Sequence, residues 1–126
     1  VVIPLHPRTK KKLAENNISL NGQIKTIDPL GYLDMVELEK NAHIIATDSG
    51  GVQKEAFFYG VPCITLREET EWIELVKSGA NILVGSDKEK IMNSMVKNFN
   101  KFSTKKLYGE GTSANLIIKK IIKVFN

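Results

Sequence analysis

The stretch Ile44-Ile45-Ala46-Thr47-Asp48-Ser49-Gly50-Gly51-Val52-Gln53-Lys54-Glu55-Ala56-Phe57 decides the fold. Its first three residues are apolar and read as the end of a buried strand. Thr47, Asp48 and Ser49 break that run, Gly50 and Gly51 follow, and a helical pattern begins. A strand that opens through Ser-Gly-Gly into a helix aims free backbone N–H groups at one spot, with the positive end of the helix dipole behind them. Two glycines let a bulky anion approach the backbone closely. Glu55 lies one helical turn after Gly51 on the same face. A carboxylate there can accept hydrogen bonds from a diol such as the hydroxyls of a ribose. Two readings stand at this point: a cradle for a nucleotide or nucleotide-sugar, or a plain turn with a helix N-cap.

Outward from this stretch, strands and helices alternate. Val1 to Leu5 is an apolar run and reads as a strand, and Pro7 opens a helix through Asn16. Gln23 to Ile27 is a short strand. Gly31 to Ala42 is a helix with apolar positions at Leu33, Val36 and Leu38. His43 to Ala46 is a strand and Gly51 to Tyr59 a helix, ended by Gly60 and Pro62. Pro62 to Leu66 is a strand. Thr70 is predicted to N-cap a helix through Ser78, with Glu71 and Glu74 in its first turns. Asn81 to Val84 is the last strand. Asp87 caps a helix to about Phe99. Ser113 caps a final helix with apolar positions at Leu116, Ile117, Ile121, Ile122 and Phe125. Because the strands are continuous apolar runs rather than alternating ones, they predict a parallel sheet buried on both faces. The expected class is a doubly wound, Rossmann-like α/β fold, a single domain over residues 1–126.

Composition fits that class. The 126 residues are 42% hydrophobic and 25% charged, ordinary for a globular domain. No apolar run approaches the length of a membrane span, and no signal-peptide layout is present. Cys63 is the single cysteine. It excludes an internal disulfide, fits a reducing cytoplasm and reads as a core thiol on a buried strand. The net charge is +4 and the pI about 9.2. The basic residues are mostly lysines, grouped at Lys10-Lys11-Lys12, Lys105-Lys106 and Lys119-Lys120-Lys123, with Arg8 and Arg67 the two arginines. They do not interleave with aromatics, so they read as solvated faces rather than a nucleic-acid surface. No metal-ligand spacing, nucleophile elbow or Walker loop occurs. The chain opens Val1-Val2-Ile3 without a methionine, inside a strand, and reads as the C-terminal piece of a longer protein.

Ligands of doubly wound sheets bind at the carboxyl ends of the strands. The loops expected there are residues 4–8, 28–32, 48–51 and 67–72. His6, just past a strand between two prolines, is a phosphate or sugar ligand or a structural loop histidine. Arg67 is a bidentate phosphate partner or an ion-pair partner of Glu68, Glu71 or Glu74. Those glutamates read as helix-start and surface charges ahead of acid–base groups. Trp72 is a hydrophobic anchor or a stacking surface. Tyr108-Gly109-Glu110-Gly111 reads as a glycine turn.

Taken together, these motifs resemble the non-hydrolysing UDP-N-acetylglucosamine 2-epimerase family. The matching stretches are residues 4–7, 28–33, 47–56, 60–67, 70–74, 83–85 and 108–111, in family order over nearly the whole chain. The resemblance implies the C-terminal, UDP-binding half of a glycosyltransferase-B-like enzyme, lacking the first strand of that domain. It implies that Ser49, Gly50 and Gly51 hold the diphosphate, that Glu55 holds the ribose, and that Arg67 is the arginine after the following strand. It sets Pro29, Tyr32 and Met35 near the uracil. It sets His6 on the ligand-facing rim, near where some bacterial members bind a second, activating UDP-sugar. The family reaction inverts C2 of the sugar by eliminating UDP to a 2-acetamidoglucal and adding it back. No metal or redox cofactor is implied.

The family's acid–base groups come from its His-Arg-Arg-Glu-Asn segment and its N-terminal domain, neither of which is in this sequence. No catalytic residue is therefore expected among these 126 residues, and the chain alone is not expected to epimerise. A UDP-sugar, the N-terminal domain and a homodimer partner are the implied associations, without nucleic acid or membrane. Where the family reads Thr-Glu-Arg-Pro-Glu, this chain has Thr70-Glu71-Trp72-Ile73-Glu74. That looks like the branch holding archaeal epimerases and epimerases of UDP-diacetamido-glucuronic acid. A glycosyltransferase-B donor domain shares the glycine turn and the helix glutamate, but fits Gln53-Lys54-Glu55 and Thr70-Glu71-Trp72 less well. With the first family strand missing, the strands at Val1–Leu5 and His43–Ala46 are expected either to pair or to leave an open edge.

Overall fold

The computed structural model describes residues 1–20, 22–97, 99, 102 and 107–125. The elements run β1 (Val2–Pro4), α1 (Pro7–Glu15), β2 (Lys25–Ile27), α2 (Tyr32–Lys40), β3 (Ile45–Thr47), α3 (Gly50–Tyr59), β4 (Cys63–Thr65), α4 (Ile73–Lys77), β5 (Asn81–Leu83), α5 (Lys88–Met95) and α6 (Ser113–Phe125). This is the alternating α/β order read from the apolar runs. Every strand pairing is parallel, in two ladders. The chain divides into two compact units, residues 1–38 and 39–126.

In the first unit β1 pairs with β2, Val2 opposite Lys25 and Pro4 opposite Ile27. Pro7 occupies the first turn of α1, where a missing N–H costs nothing.

In the second unit the ladder runs β3-β4-β5, with Ile45 opposite Cys63 and Cys63 opposite Asn81. All three residues of the central strand β4 are buried. That explains its unbroken apolar approach from Val61. Cys63 is 1% exposed, and burial pushes its thiol up to about 12. It is the core thiol expected, not a nucleophile. Phe57 on α3, Leu75 on α4 and Ala80 form the core, with Trp72, Phe102 and Tyr108 packed against it. Phe57 meets the Tyr108 ring edge-on, centroids 5.7 Å apart. Within this unit and among the described residues β3 pairs with β4 alone.

The helix ends follow local chemistry. Gly60 closes α3 at φ 72, left-handed backbone that favours glycine, and its N–H reaches the carbonyls of Ala56 and Phe57. Asp87 Oδ1 accepts from the Lys90 N–H at 2.9 Å and caps α5. Helix α5 ends at Met95 rather than near Phe99. Asp87→Ala is expected to cost about 1 kcal/mol of stability, read from the denaturant midpoint. Thr70 does not cap α4. Position 72 precedes that helix without a side-chain cap, and the Thr70 hydroxyl is engaged elsewhere. Ser113 is the first residue of α6 rather than its cap. The apolar residues of α6, Leu116 to Phe125, are exposed. Lys105 and Lys106 lie outside the described residues. No described helix is long and apolar enough to cross a membrane.

Candidate functional site

Strand β3 ends at Thr47, and the chain turns through Asp48 and Ser49 into α3. The Ser49 N–H donates to Thr47 Oγ1 at 3.0 Å, which tightens the turn. Ser49 sits in extended backbone, and its Oγ accepts from the Val52 N–H at 3.4 Å. The serine is thus an N-cap, and the turn also leaves the first-turn amides of Gly50 and Gly51 without intrahelical acceptors by position. Gly50 is closely approached: a Cβ there would meet the end of the flexible Glu71 side chain, and would lie 3.3 Å from Trp72 Nε1. Gly51 is open, its nearest neighbour to such a Cβ being Ser49 Oγ at 3.8 Å.

The loop after β4 lies against this turn. Arg67 pairs with Glu71 at 3.3 Å, the partner among the three glutamates considered. The Arg67 carbonyl accepts from the Gly85 N–H at 3.2 Å. Gly85 has φ 60, and the Glu68 carboxylate fills the place a Cβ would take. Trp72 Nε1 donates to the Gly50 carbonyl at 2.9 Å. Beneath the loop runs a buried polar chain. Thr65 Oγ1 donates to Asn81 Oδ1 at 2.8 Å, and Asn81 Nδ2 donates to Gln53 Oε1 at 3.1 Å. Thr70 Oγ1 donates to the same Gln53 oxygen at 2.7 Å and accepts from the Trp72 N–H at 3.2 Å. Gln53 is therefore a structural pin of the loop, fully buried within the helix that carries Glu55.

Lys54, the next residue, lies 4.2 Å from the Trp72 ring centroid and 4.4 Å from that of Tyr108. Tyr108 donates to Glu74 Oε1 at 2.7 Å. That bond holds the Glu74 carboxyl below its usual range, while burial pushes the phenol up. The Tyr-Gly-Glu-Gly turn thus delivers an aromatic ring to the core, which sequence spacing did not reveal.

Glu55 is half-buried on α3. Near it lies Glu39 on α2, which sequence reasoning missed. Glu39 is 2% exposed, and neither carboxylate oxygen has a hydrogen-bond partner among the described residues. Burial, then the Glu55 charge, pushes it up to about 7. Its position was a signal: it follows Met35 and Val36 at helical spacing, on the apolar stripe of α2.

The second unit therefore brings Ser49, Gly50, Gly51, Arg67, Glu71 and Trp72 together, with Glu55 one turn along α3. His6, Pro29, Tyr32 and Met35 belong to the first unit. There His6 is the N-cap of α1, its Nδ1 accepting from the Arg8 N–H at 3.2 Å. Pro29 and Tyr32 are exposed and Met35 is half-buried. Among the described residues no group of carboxylate, histidine and cysteine side chains has the layout of a metal site.

A parallel ladder whose strand opens through a glycine turn into a helix is the layout of Rossmann-like α/β folds. Within that class, a profile of the UDP-N-acetylglucosamine 2-epimerase family matches residues 1–122. A UDP-N-acetylglucosamine 2-epimerase homolog of Methanococcus maripaludis is 50% identical over 94% of this chain and 35% of its own length. The UDP-2,3-diacetamido-2,3-dideoxy-D-glucuronate 2-epimerase of Pseudomonas aeruginosa is 44% identical over 98% of this chain and 35% of its own. Among solved structures, the Methanocaldococcus jannaschii UDP-GlcNAc 2-epimerase in complex with UDP-GlcNAc and UDP superposes with a TM-score of 0.78. It is 45% identical, over 97% of this chain and 35% of that one. The chain belongs to the UDP-N-acetylglucosamine 2-epimerase family, and it spans 35% of the length of these curated relatives.

Proposed function

We propose that this chain is the UDP-binding part of a UDP-N-acetylglucosamine 2-epimerase, which interconverts UDP-GlcNAc and UDP-ManNAc by eliminating UDP and adding it back. The observation that supports it most is the loop after β4 resting on the glycine turn. It sets Trp72 and Glu71, the ion-pair partner of the second unit's only arginine, against Gly50. On this reading Ser49, Gly50, Gly51 and Arg67 hold the diphosphate, and Glu55 holds the ribose. His6, Pro29, Tyr32 and Met35 contribute contacts to sugar or uracil. Charge builds on the diphosphate as the glycosidic bond breaks, so a cradle of amides and a guanidinium stabilises the transition state more than the ground state. It also keeps UDP in place while the sugar is detached. The acid and base are supplied by the His-Arg-Arg-Glu-Asn segment and the N-terminal domain of the same enzyme, which works as a cytoplasmic homodimer in cell-envelope polysaccharide synthesis.

The Pseudomonas aeruginosa relative favours a second reading of the sugar, UDP-2,3-diacetamido-2,3-dideoxy-D-glucuronate in place of UDP-GlcNAc. Titration with UDP, UMP and ADP, followed by amide NMR, tests the site. UDP is expected to shift the amides of residues 49–55 more than either control does. A well-dispersed spectrum silent to UDP would sink the assignment. Turnover of the two sugars by the complete protein separates the readings.

A further inference from the structure

The peptide unit between Gly50 and Gly51 lies in the first turn of α3, where neither residue has a Cβ to restrict it. It is also the unit whose N–H must aim at an anion. A trans peptide is planar, with its C=O and N–H on opposite sides, and the described chain has no cis bond. Whatever holds the Gly50 oxygen therefore sets the direction of the Gly51 N–H. In this chain that oxygen, already the acceptor of the first turn of α3, is also held from outside by the single tryptophan, whose indole N–H reaches it at 2.9 Å from a loop 22 residues away.

The indole is itself fixed on three sides. Its own backbone N–H donates to Thr70 Oγ1 at 3.2 Å, and Thr70 is tied at 2.7 Å to the buried Gln53 oxygen. Lys54 lies over the ring at 4.2 Å, a cation–π contact. The Tyr108 ring meets it edge-on, centroids 6.5 Å apart. A large, rigid donor held this way is preorganised, and it loses little freedom when a ligand arrives.

We infer that Trp72 is a positioning residue of the anion cradle: its indole N–H locks the Gly50–Gly51 peptide so that the Gly51 amide faces a bound diphosphate. The inference rests on the reading of this turn as a diphosphate site. It gives position 72 a role that needs no contact with the ligand. It also explains why the tryptophan ring is packed inward between Lys54 and Tyr108 instead of standing free as a stacking platform.

The test is calorimetric titration of the complete protein, wild type and Trp72→Phe, with UDP and with uridine. Phenylalanine keeps a ring for Lys54 and removes the donor. UDP affinity is expected to fall about fivefold to tenfold, with uridine affinity unchanged, because only the diphosphate meets the Gly51 amide. Unchanged UDP affinity in the variant overturns the inference. So does an equal loss for UDP and uridine, which is the mark of a general packing role. If the wild type itself binds UDP no better than uridine, the diphosphate reading fails first and the inference falls with it. Should the phenylalanine variant not fold, benzothienylalanine at position 72 keeps the fused rings, lacks the N–H and gives the same readout.

Discussion

Replacing Glu39 by glutamine is expected to stabilise the chain by about 3 kcal/mol at pH 8 and by almost nothing at pH 4. Burial, with a smaller push from the Glu55 charge, raises this carboxyl from 4.5 to about 7. Between those values the folded chain retains a proton that the unfolded chain has released. Stability from this group therefore falls as pH rises through the window, and is flat above it. Below pH 4.5 the group is neutral in both states and costs no more than a buried amide would. The size follows from a shift of two to three units at about 1.4 kcal/mol each, for a residue that is only 2% exposed. Denaturant midpoints of wild type and variant at pH 5 and pH 8, with the m-value unchanged, read the effect directly. A gain of the same size at both pH values would show that packing, not ionisation, is responsible. Glu55→Gln should trim the wild-type pH dependence without abolishing it, since the Glu55 charge is the lesser of the two causes.

Glu39 also marks where sequence reasoning stops. Features set by a few neighbouring residues were legible. Pro7 at the start of α1, the Gly60 cap of α3, Asp87 ahead of α5 and the Ser49-Gly50-Gly51 turn each follow from backbone freedom or a nearby amide. The apolar runs likewise gave parallel strands, but burial on both faces holds for β4 alone, while β1, β2 and β3 each keep exposed residues. What failed depended on partners far along the chain. Thr70 has the right chemistry for an N-cap, but its hydroxyl is captured by Gln53, 17 residues back, and α4 begins later and shorter than the pattern implied. Arg67 had three candidate carboxylates within one helical turn or two, and spacing could not choose among them. Trp72 read as an anchor or a stacking surface and Tyr108 as part of a glycine turn, because nothing local says that one reaches the Gly50 carbonyl and the other joins Phe57. The glycine turn was thus readable as a local motif. The loop that completes it was not, since tertiary contacts alone hold it there.

Arg67→Ala is expected to weaken UDP binding about tenfold to a hundredfold while barely moving the denaturant midpoint. The two readouts separate because the arginine has little to do in the empty chain. Its pairing with Glu71 is a partly exposed contact at 3.3 Å, with the two side chains 38% and 49% exposed. Such pairs contribute about 0–1 kcal/mol. Its backbone is anchored independently through the Gly85 N–H. Toward a diphosphate the same guanidinium would make charge-assisted, two-pronged bonds, roughly twice as strong as neutral ones. Arg67→Lys should recover only part of the loss, because an ammonium keeps the charge without the fork. Glu71→Gln should act in the opposite direction and tighten UDP by a few-fold. Its carboxylate both pairs with the arginine and lies against Gly50, at the proposed anion site. Neutralising it removes a competing negative charge from the cradle. Titration of the four proteins at two salt concentrations decides the matter. Binding by Arg67→Ala as tight as wild type, or tighter UDP binding by Arg67→Ala and Glu71→Gln alike, would show that the guanidinium serves only its pair with Glu71 and never meets the phosphate.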